Sequence, residues 1–194
     1  MSSSATAENT PPREGARRTP QLPPFDDSRV VKYKETEGWE VLRRVADPVV
    51  EFGEPLKALV AEMIDVMVHA HGCGLAAPQI GRSIRLCIYD AGDGVQALVN
   101  PKILKARGGD VPMEEGCLSI PGLRGNVMRP NVITVRAWDT EGRDRIFKAT
   151  EFEARVIQHE IDHLDGVLFI DKADPKSLHM LSQQEIDEEH APVE

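Results

Sequence analysis

The chain has 194 residues, a mass of 21.5 kDa and 41% hydrophobic residues, enough for one compact domain with its own core. Its formal charge of −9, from 23 Lys and Arg against 32 Asp and Glu, argues against a nucleic-acid grip built on phosphate contacts. No apolar run approaches the roughly 20 residues of a membrane helix, and the cysteines Cys73, Cys87 and Cys117 form no C-x-x-C, which suits a reducing compartment.

Residues 1–37 read as a flexible arm. Ser2-Ser3-Ser4, Pro11-Pro12, Arg17-Arg18 and Pro23-Pro24 make it polar and Pro-rich, without apolar periodicity. It has no hydrophobic stretch for a secretory signal, and Glu8, Glu14, Asp26 and Asp27 weaken a transit-peptide reading; the expected location is cytoplasmic, with an organelle as the alternative. The alternative is that Phe25, Val30 and Val31 pack on the domain or on a second subunit.

The main domain is expected over 38–172, opening near Trp39 with a turn at Asp47-Pro48. A helix is predicted over 55–71, where Leu56, Leu59, Val60, Met63, Ile64, Met67 and Ala70 follow helical spacing behind Pro55. His69 and His71 read as ordinary polar positions at its end. Gly72-Cys73-Gly74-Leu75-Ala76-Ala77-Pro78-Gln79 then stops the helix with little side chain, so another backbone or a ligand can come close. Strands are predicted over 84–90 and 95–100 about the hairpin turn Ala91-Gly92-Asp93-Gly94, with Cys87 a small buried hydrophobe.

Glu114-Glu115-Gly116-Cys117-Leu118-Ser119-Ile120-Pro121-Gly122 follows. Its thiol, held beside a glycine and before a Pro-Gly turn, is a candidate metal ligand or nucleophile, against the alternative of an inert cysteine. Strands are predicted over 131–139 and 144–148 about Thr140-Glu141-Gly142. A helix then runs from a capping box at Thr150 and Glu153 to an αL residue at Gly166, with Phe152, Val156, Ile157, Ile161 and Leu164 covering more than one face. Such a helix is enclosed rather than at the surface. A short strand is expected over 167–171. Asp174-Pro175 starts a short C-terminal helix, and 173–194 runs into an acidic tail.

The enclosed helix carries His159-Glu160-Ile161-Asp162-His163. Two imidazoles at i and i+4 share a face and can hold one metal ion, and Glu160 beside the first can reach a water at that ion. A tetrahedral site with an open position for water needs a third protein ligand. In the metzincin pattern H-E-x-x-H-x-x-G-x-x-H, Gly166 fits but Phe169 stands where the third His belongs. The downstream carboxylates Glu185, Glu188, Glu189 and Glu194 lie in the polar tail, so the ligand is expected from upstream. Asp162 takes no part in this chemistry, and its expected partner is Arg129, which would tie the strand near 131 to the helix.

Taken together, Gly72 to Gln79, Glu115 to Ser119 and His159 to His163 resemble the peptide deformylase family, which carries G-x-G-L-A-A-x-Q, E-G-C-L-S and H-E-x-D-H in this order. The likeness covers about 38–172. It implies an α+β fold, with antiparallel β-strands wrapped around a buried central helix carrying the metal-binding His residues. It implies that Cys117, His159 and His163 hold one divalent metal, ferrous iron natively although zinc suits the ligands, with water in the fourth place. The implied reaction is hydrolysis of the N-formyl group of N-formylmethionyl peptides to formate and a free amine. Metal-bound water is then the nucleophile and Glu160 the general acid and base. Gln79 and the N–H of Leu118 would meet the oxyanion. Gly72, Cys73 and Gly74 would line the peptide; Met113, Cys73 and Phe152 would stand near the methionine pocket, Glu115 would belong to the substrate site, and Arg124 would stand near the entrance. Arg155 would line the pocket with its stem and pair with Glu115 at its head. The implied partner is the nascent peptide, in a ribosome-associated context, without membrane or direct nucleic-acid binding. The acidic C terminus offers no basic tail for ribosome contact. Against these expectations stand a general metallopeptidase and a non-catalytic metal- or peptide-binding protein.

Overall fold

A stripe of Leu56, Met63, Val66 and Met67 buries one face of helix α1 (Glu54–His69) in the computed structural model, which describes residues 27–182, 184 and 185. The helix ends two residues before the expected limit because His71 takes the left-handed position, φ 54°. Its N–H reaches Val68 O and that of Gly72 reaches Met67 O, a paired closure of the last turn. This closure aims the glycine stretch into the sheet.

Five strands form one antiparallel sheet in the order β1 (Gly74–Ala76), β2 (Leu86–Tyr89), β3 (Gln96–Cys117), β4 (Ile120–Trp138) and β5 (Asp144–Thr150). Strand β6 (His179–Met180) pairs with β4 at Leu123 and Arg124. The expected strands 95–100 and 131–139 are only the ends of β3 and β4, a hairpin with arms of 22 and 19 residues joined through Leu118-Ser119. Pro101, Gly108-Gly109, Pro112 and Pro121-Gly122 look like chain breaks. Instead, the ladder shifts register next to most of them, between Val99/Lys102, Arg107/Asp110 and Gly116/Cys117. β2 pairs with β3 only as far as Val99, so Pro112 sits on an edge, where a missing N–H leaves no ladder bond unmade.

Helix α2 (Glu151–Leu164) lies against this sheet, buried on several faces, so the expected architecture of antiparallel strands around a central helix is the one found. Ile157, Ile161 and Leu164 meet Leu98, Ile133, Val135 and Ala149, while α1 packs on β1 and β2 through Met63, Met67, Leu75, Leu86 and Ile88. The expected capping box does not form. Thr150 makes no side-chain cap, and Glu153 instead accepts the hydroxyl of Tyr89 at 3.0 Å. Gly166 does take a left-handed φ of 73°, and a Cβ there would lie 2.8 Å from the backbone of Arg43.

Residues 167–171 are not a strand but run into a 3-10 turn, Phe169–Asp171, closed by the Leu168 N–H on the Asp171 carboxylate at 2.8 Å. Asp174 caps a turn rather than a helix, its carbonyl accepting the Ser177 N–H, and the chain then enters β6. Residues 184 and 185 are helical, and the rest of the tail lies outside the described residues. Among the described residues ahead of 38, Val30 joins the α1 core, while Phe25 and the earlier part of the expected arm lie outside the described residues. Among the described residues no helix is long and apolar enough to cross a membrane.

Candidate active site

One turn of α2 separates His159 from His163, and their ring centroids are 5.0 Å apart. Cys117, the last residue of β3, is brought to them by the tip of the hairpin. Its Sγ and one nitrogen of each imidazole lie within 4.8 Å of one another, with Sγ 3.2 Å from His163 Nε2. His159 Nδ1 is 3.0 Å from Glu115 Oε2. An ionised carboxylate only accepts, so Nδ1 carries a proton, and Nε2 is the nitrogen left for a ligand role. Phe169, at the position of the missing third His, stacks on His159 at 6.3 Å and 25°. Burial pushes the Cys117 thiol up, but the imidazoles of His163 and His159 outweigh it and hold the thiol well below its ordinary range. A thiolate and two imidazoles converging in a buried corner fit a divalent metal ion.

Beside this cluster Glu160 is buried, and its Oε2 has no hydrogen-bond partner among the described residues. Burial raises its carboxyl to about 7, against the lowering by His159 and His163. The carboxylate faces β1 so closely that a Cβ on Gly74 would stand 2.3 Å from Oε1. Gln79 is held by its own loop: Oε1 accepts the Ala76 N–H at 2.8 Å, and Nε2 donates to Ser119 Oγ at 3.3 Å and toward Cys117 Sγ at 3.6 Å. The amide is thus turned toward the cluster.

These groups form one wall of a cleft of about 340 Å³, a size that suits a single large side chain and its backbone. Gln79, Cys117, Leu118, His159 and Glu160 line it, whereas His163 does not. The other expected residues line it too: Gly72, Cys73, Gly74, Met113, Glu115, Arg124 and Phe152.

Glu115 is held by three partners within the protein. Arg129 binds it in a fork at 2.6 and 2.9 Å, Arg155 Nη1 at 2.8 Å and His159 at 3.0 Å, so both oxygens are engaged within the protein. Burial would raise its pKa, but Arg129 and His159 carry it well below the usual carboxylate range. Arg155 pairs with it as expected and also donates to the Val127 and Val111 carbonyls. Arg129 extends the group to Asp162 at 2.7 Å, the expected pair, and Asp162 takes Lys172 at 2.6 Å on its outer oxygen.

Sequence reasoning missed several neighbours of the site. His71, placed by the closure of α1, lines the cleft, as does Val156. Ser119 stood within the motif without an assigned contact. Lys32, whose Nζ reaches the Leu118 carbonyl at 3.2 Å, lies in the stretch that composition marked as an arm.

Comparisons agree with this geometry. The polypeptide deformylase family model matches residues 28–179. A peptide deformylase of Halothermothrix orenii is 46% identical over 137 residues, 70% of this chain and 88% of the relative. One of Treponema pallidum (strain Nichols) is 45% identical over 139 residues, 72% of this chain and 86% of the relative. Among solved structures, peptide deformylase from Thermotoga maritima superposes with a TM-score of 0.72 at 40% identity, covering 75% of this chain and 97% of that one. A peptide deformylase from Synechococcus elongatus in complex with actinonin gives 0.71 at 35% identity, covering 86% and 85%.

Proposed function

The chain belongs to the polypeptide deformylase family, and from that premise we propose how its own residues remove the N-formyl group from a nascent peptide. The reading rests on one observation above all: three ligand atoms of Cys117, His159 and His163 within 4.8 Å, beside a cleft where Glu160 Oε2 is buried without a hydrogen-bond partner among the described residues. A divalent ion on these three residues would supply Lewis acidity, polarising the formyl oxygen and lowering the pKa of water toward neutrality. Of the ions this donor set takes, we assign ferrous iron as the native one, with zinc able to use the same ligands.

Glu160 takes a proton from the attacking water and returns it to the nitrogen as the C–N bond breaks, leaving formate and a free α-amine. A carboxylate kept from other hydrogen bonds by burial is able to do both. The amide of Gln79 and the N–H of Leu118 meet the oxygen on which charge grows; one such donor is typically worth about 3 kcal/mol of barrier. Gly72, Cys73 and Gly74 bring backbone to the peptide, whose strand-like addition needs close approach. Met113 and Phe152 receive the methionine side chain, and Arg124 stands at the entrance. Glu115 acts on His159 rather than on the peptide, since its oxygens are taken by Arg129, Arg155 and His159. A formylated nascent chain exists where translation does, so we place the enzyme in the cytoplasm, in reach of the ribosome.

The test compares formyl-Met-Ala-Ser with unformylated Met-Ala-Ser on the metal-loaded chain, reading formate and free amine. Formate release from the first and no cleavage of the second is expected. Release of free methionine from the second would instead identify a metallopeptidase, and binding without formate a non-catalytic protein.

A further inference from the structure

Three consecutive residues ahead of the expected domain boundary grip the two segments that carry the oxyanion donors. The Val31 N–H donates to the Gln79 carbonyl at 2.7 Å, and the Tyr33 N–H donates to the Ser119 carbonyl at 2.8 Å. Between them Lys32 sends its ammonium to the Leu118 carbonyl at 3.2 Å. Gln79 sits in the loop after β1, and Leu118-Ser119 form the tip of the β3–β4 hairpin. Residues 31–33 therefore bridge two elements far apart in sequence at the point where their donors must meet one atom.

The bridge is itself fixed. Val30 is 1% exposed in the α1 core. The Lys32 N–H is taken by Thr36 Oγ1 at 2.9 Å, and the Lys32 carbonyl accepts the N–H groups of Glu35 and Thr36. Lys32 is only 8% exposed, an unusual place for an ammonium, which is rarely buried without a partner. Its contact with a carbonyl in the tight turn Leu118-Ser119 is charge-assisted, the stronger kind of hydrogen bond.

We propose that Lys32 is a positioning residue for the deformylation reaction, holding the Leu118–Ser119 turn against the Gln79 loop so that both donors converge on the oxyanion. It touches neither metal nor substrate and acts through the turn. This rests on the reading of Gln79 and Leu118 given above and adds the device that sets their separation. A donor displaced by a fraction of an ångström loses most of what it offers the transition state, while substrate binding along the glycine stretch is unchanged.

The experiment uses the full metal-loaded chain and two variants, Lys32→Met, which keeps the stem, and Lys32→Arg, which keeps the charge. Metal content, the thermal midpoint, kcat and KM on formyl-Met-Ala-Ser, and amide hydrogen exchange at Leu118 and Ser119 are read together. Lys32→Met is expected to keep its metal, lose about tenfold in kcat at unchanged KM, and exchange faster at those two amides. Lys32→Arg is expected to recover most of both. Wild-type kcat and exchange in Lys32→Met overturns the proposal, as does an equal loss in both variants, which would mark a packing role. If Lys32→Met loses metal or unfolds, Lys32→Gln, a neutral donor, is read by the same measurements against the same criteria. A wild-type chain that releases no formate, with exchange still faster in the variant, would sink the deformylase reading while leaving the bridge in place.

Discussion

Two side chains one residue apart on α2, His159 and Glu160, are assigned opposite duties, and substitution separates them. Glu160→Ala removes proton transfer but none of the three ligands. It should keep a full complement of metal by elemental analysis and release formate about a thousandfold more slowly. Cys117→Ala should do the reverse: the chain folds, because cysteine to alanine at the hairpin tip leaves β3 and β4 paired, but retains little metal after dialysis. Stoichiometric metal in that variant would remove Cys117 from the ligand set. The two imidazoles and Glu160 were legible in the sequence because helical spacing fixes which side chains share a face. Cys117 taken alone was legible only as one of several chemistries, since a lone thiol beside a glycine says nothing of what lies across from it; its place in the ligand set came from the resemblance. Lys32 carried no signal at all: its meaning lies in a carbonyl 86 residues away.

Between elements, the Glu115–Arg129–Asp162 chain joins the hairpin to α2, and with them the two halves of the ligand set. Arg129 is 3% exposed and holds two carboxylates, one of them orienting His159. Arg129→Met breaks both pairs, and one broken buried pair typically costs about 3–5 kcal/mol. Because Arg155 still binds Glu115, the expected loss is at the lower end, about 3 kcal/mol in denaturant unfolding, with metal affinity down about tenfold. Asp162→Asn, which leaves the fork on Glu115 intact, should cost only about 1 kcal/mol. An Arg129→Met chain as stable as wild type would mean that the network adds nothing the packing does not supply. The Arg129–Asp162 pair could be anticipated because a charge on an enclosed helix must find a partner. The length of β3 and β4 could not. Prolines and glycines that normally end strands are tolerated here because β3 is an edge strand past Val99 and its ladder slips at bulges. Local propensity has no access to which side of a strand is paired. The capping box at Thr150 failed for a related reason: Glu153, the reciprocal partner, is drawn away by the buried-side hydroxyl of Tyr89.

For the molecule as a whole, the question is where the working unit begins. Composition puts a boundary at 38, because nothing before it has the periodicity of a helix or strand. The contacts put it earlier, since Val30 fills the α1 core and residues 31–33 bind the Gln79 loop and the hairpin tip. A single buried valine has no periodicity to announce it, and backbone hydrogen bonds leave no trace in composition. The two boundaries make different predictions for truncated chains. A chain starting at 27 keeps every one of these contacts, and its kcat/KM and thermal midpoint should match the full chain. A chain starting at 38 exposes the cavity left by Val30, worth about 2 kcal/mol, and loses three hydrogen bonds at about 1 kcal/mol each. Together that is about 5 kcal/mol, comparable with the whole stability of a small domain at about 5–15 kcal/mol. It should therefore melt well below the full chain. An ion held by Cys117, His159 and His163 would stabilise both chains by mass action, so saturating metal should raise both thermal midpoints and leave the gap between them. Equal activity and melting for the two truncations would return the boundary to 38 and reduce residues 27–37 to a tether.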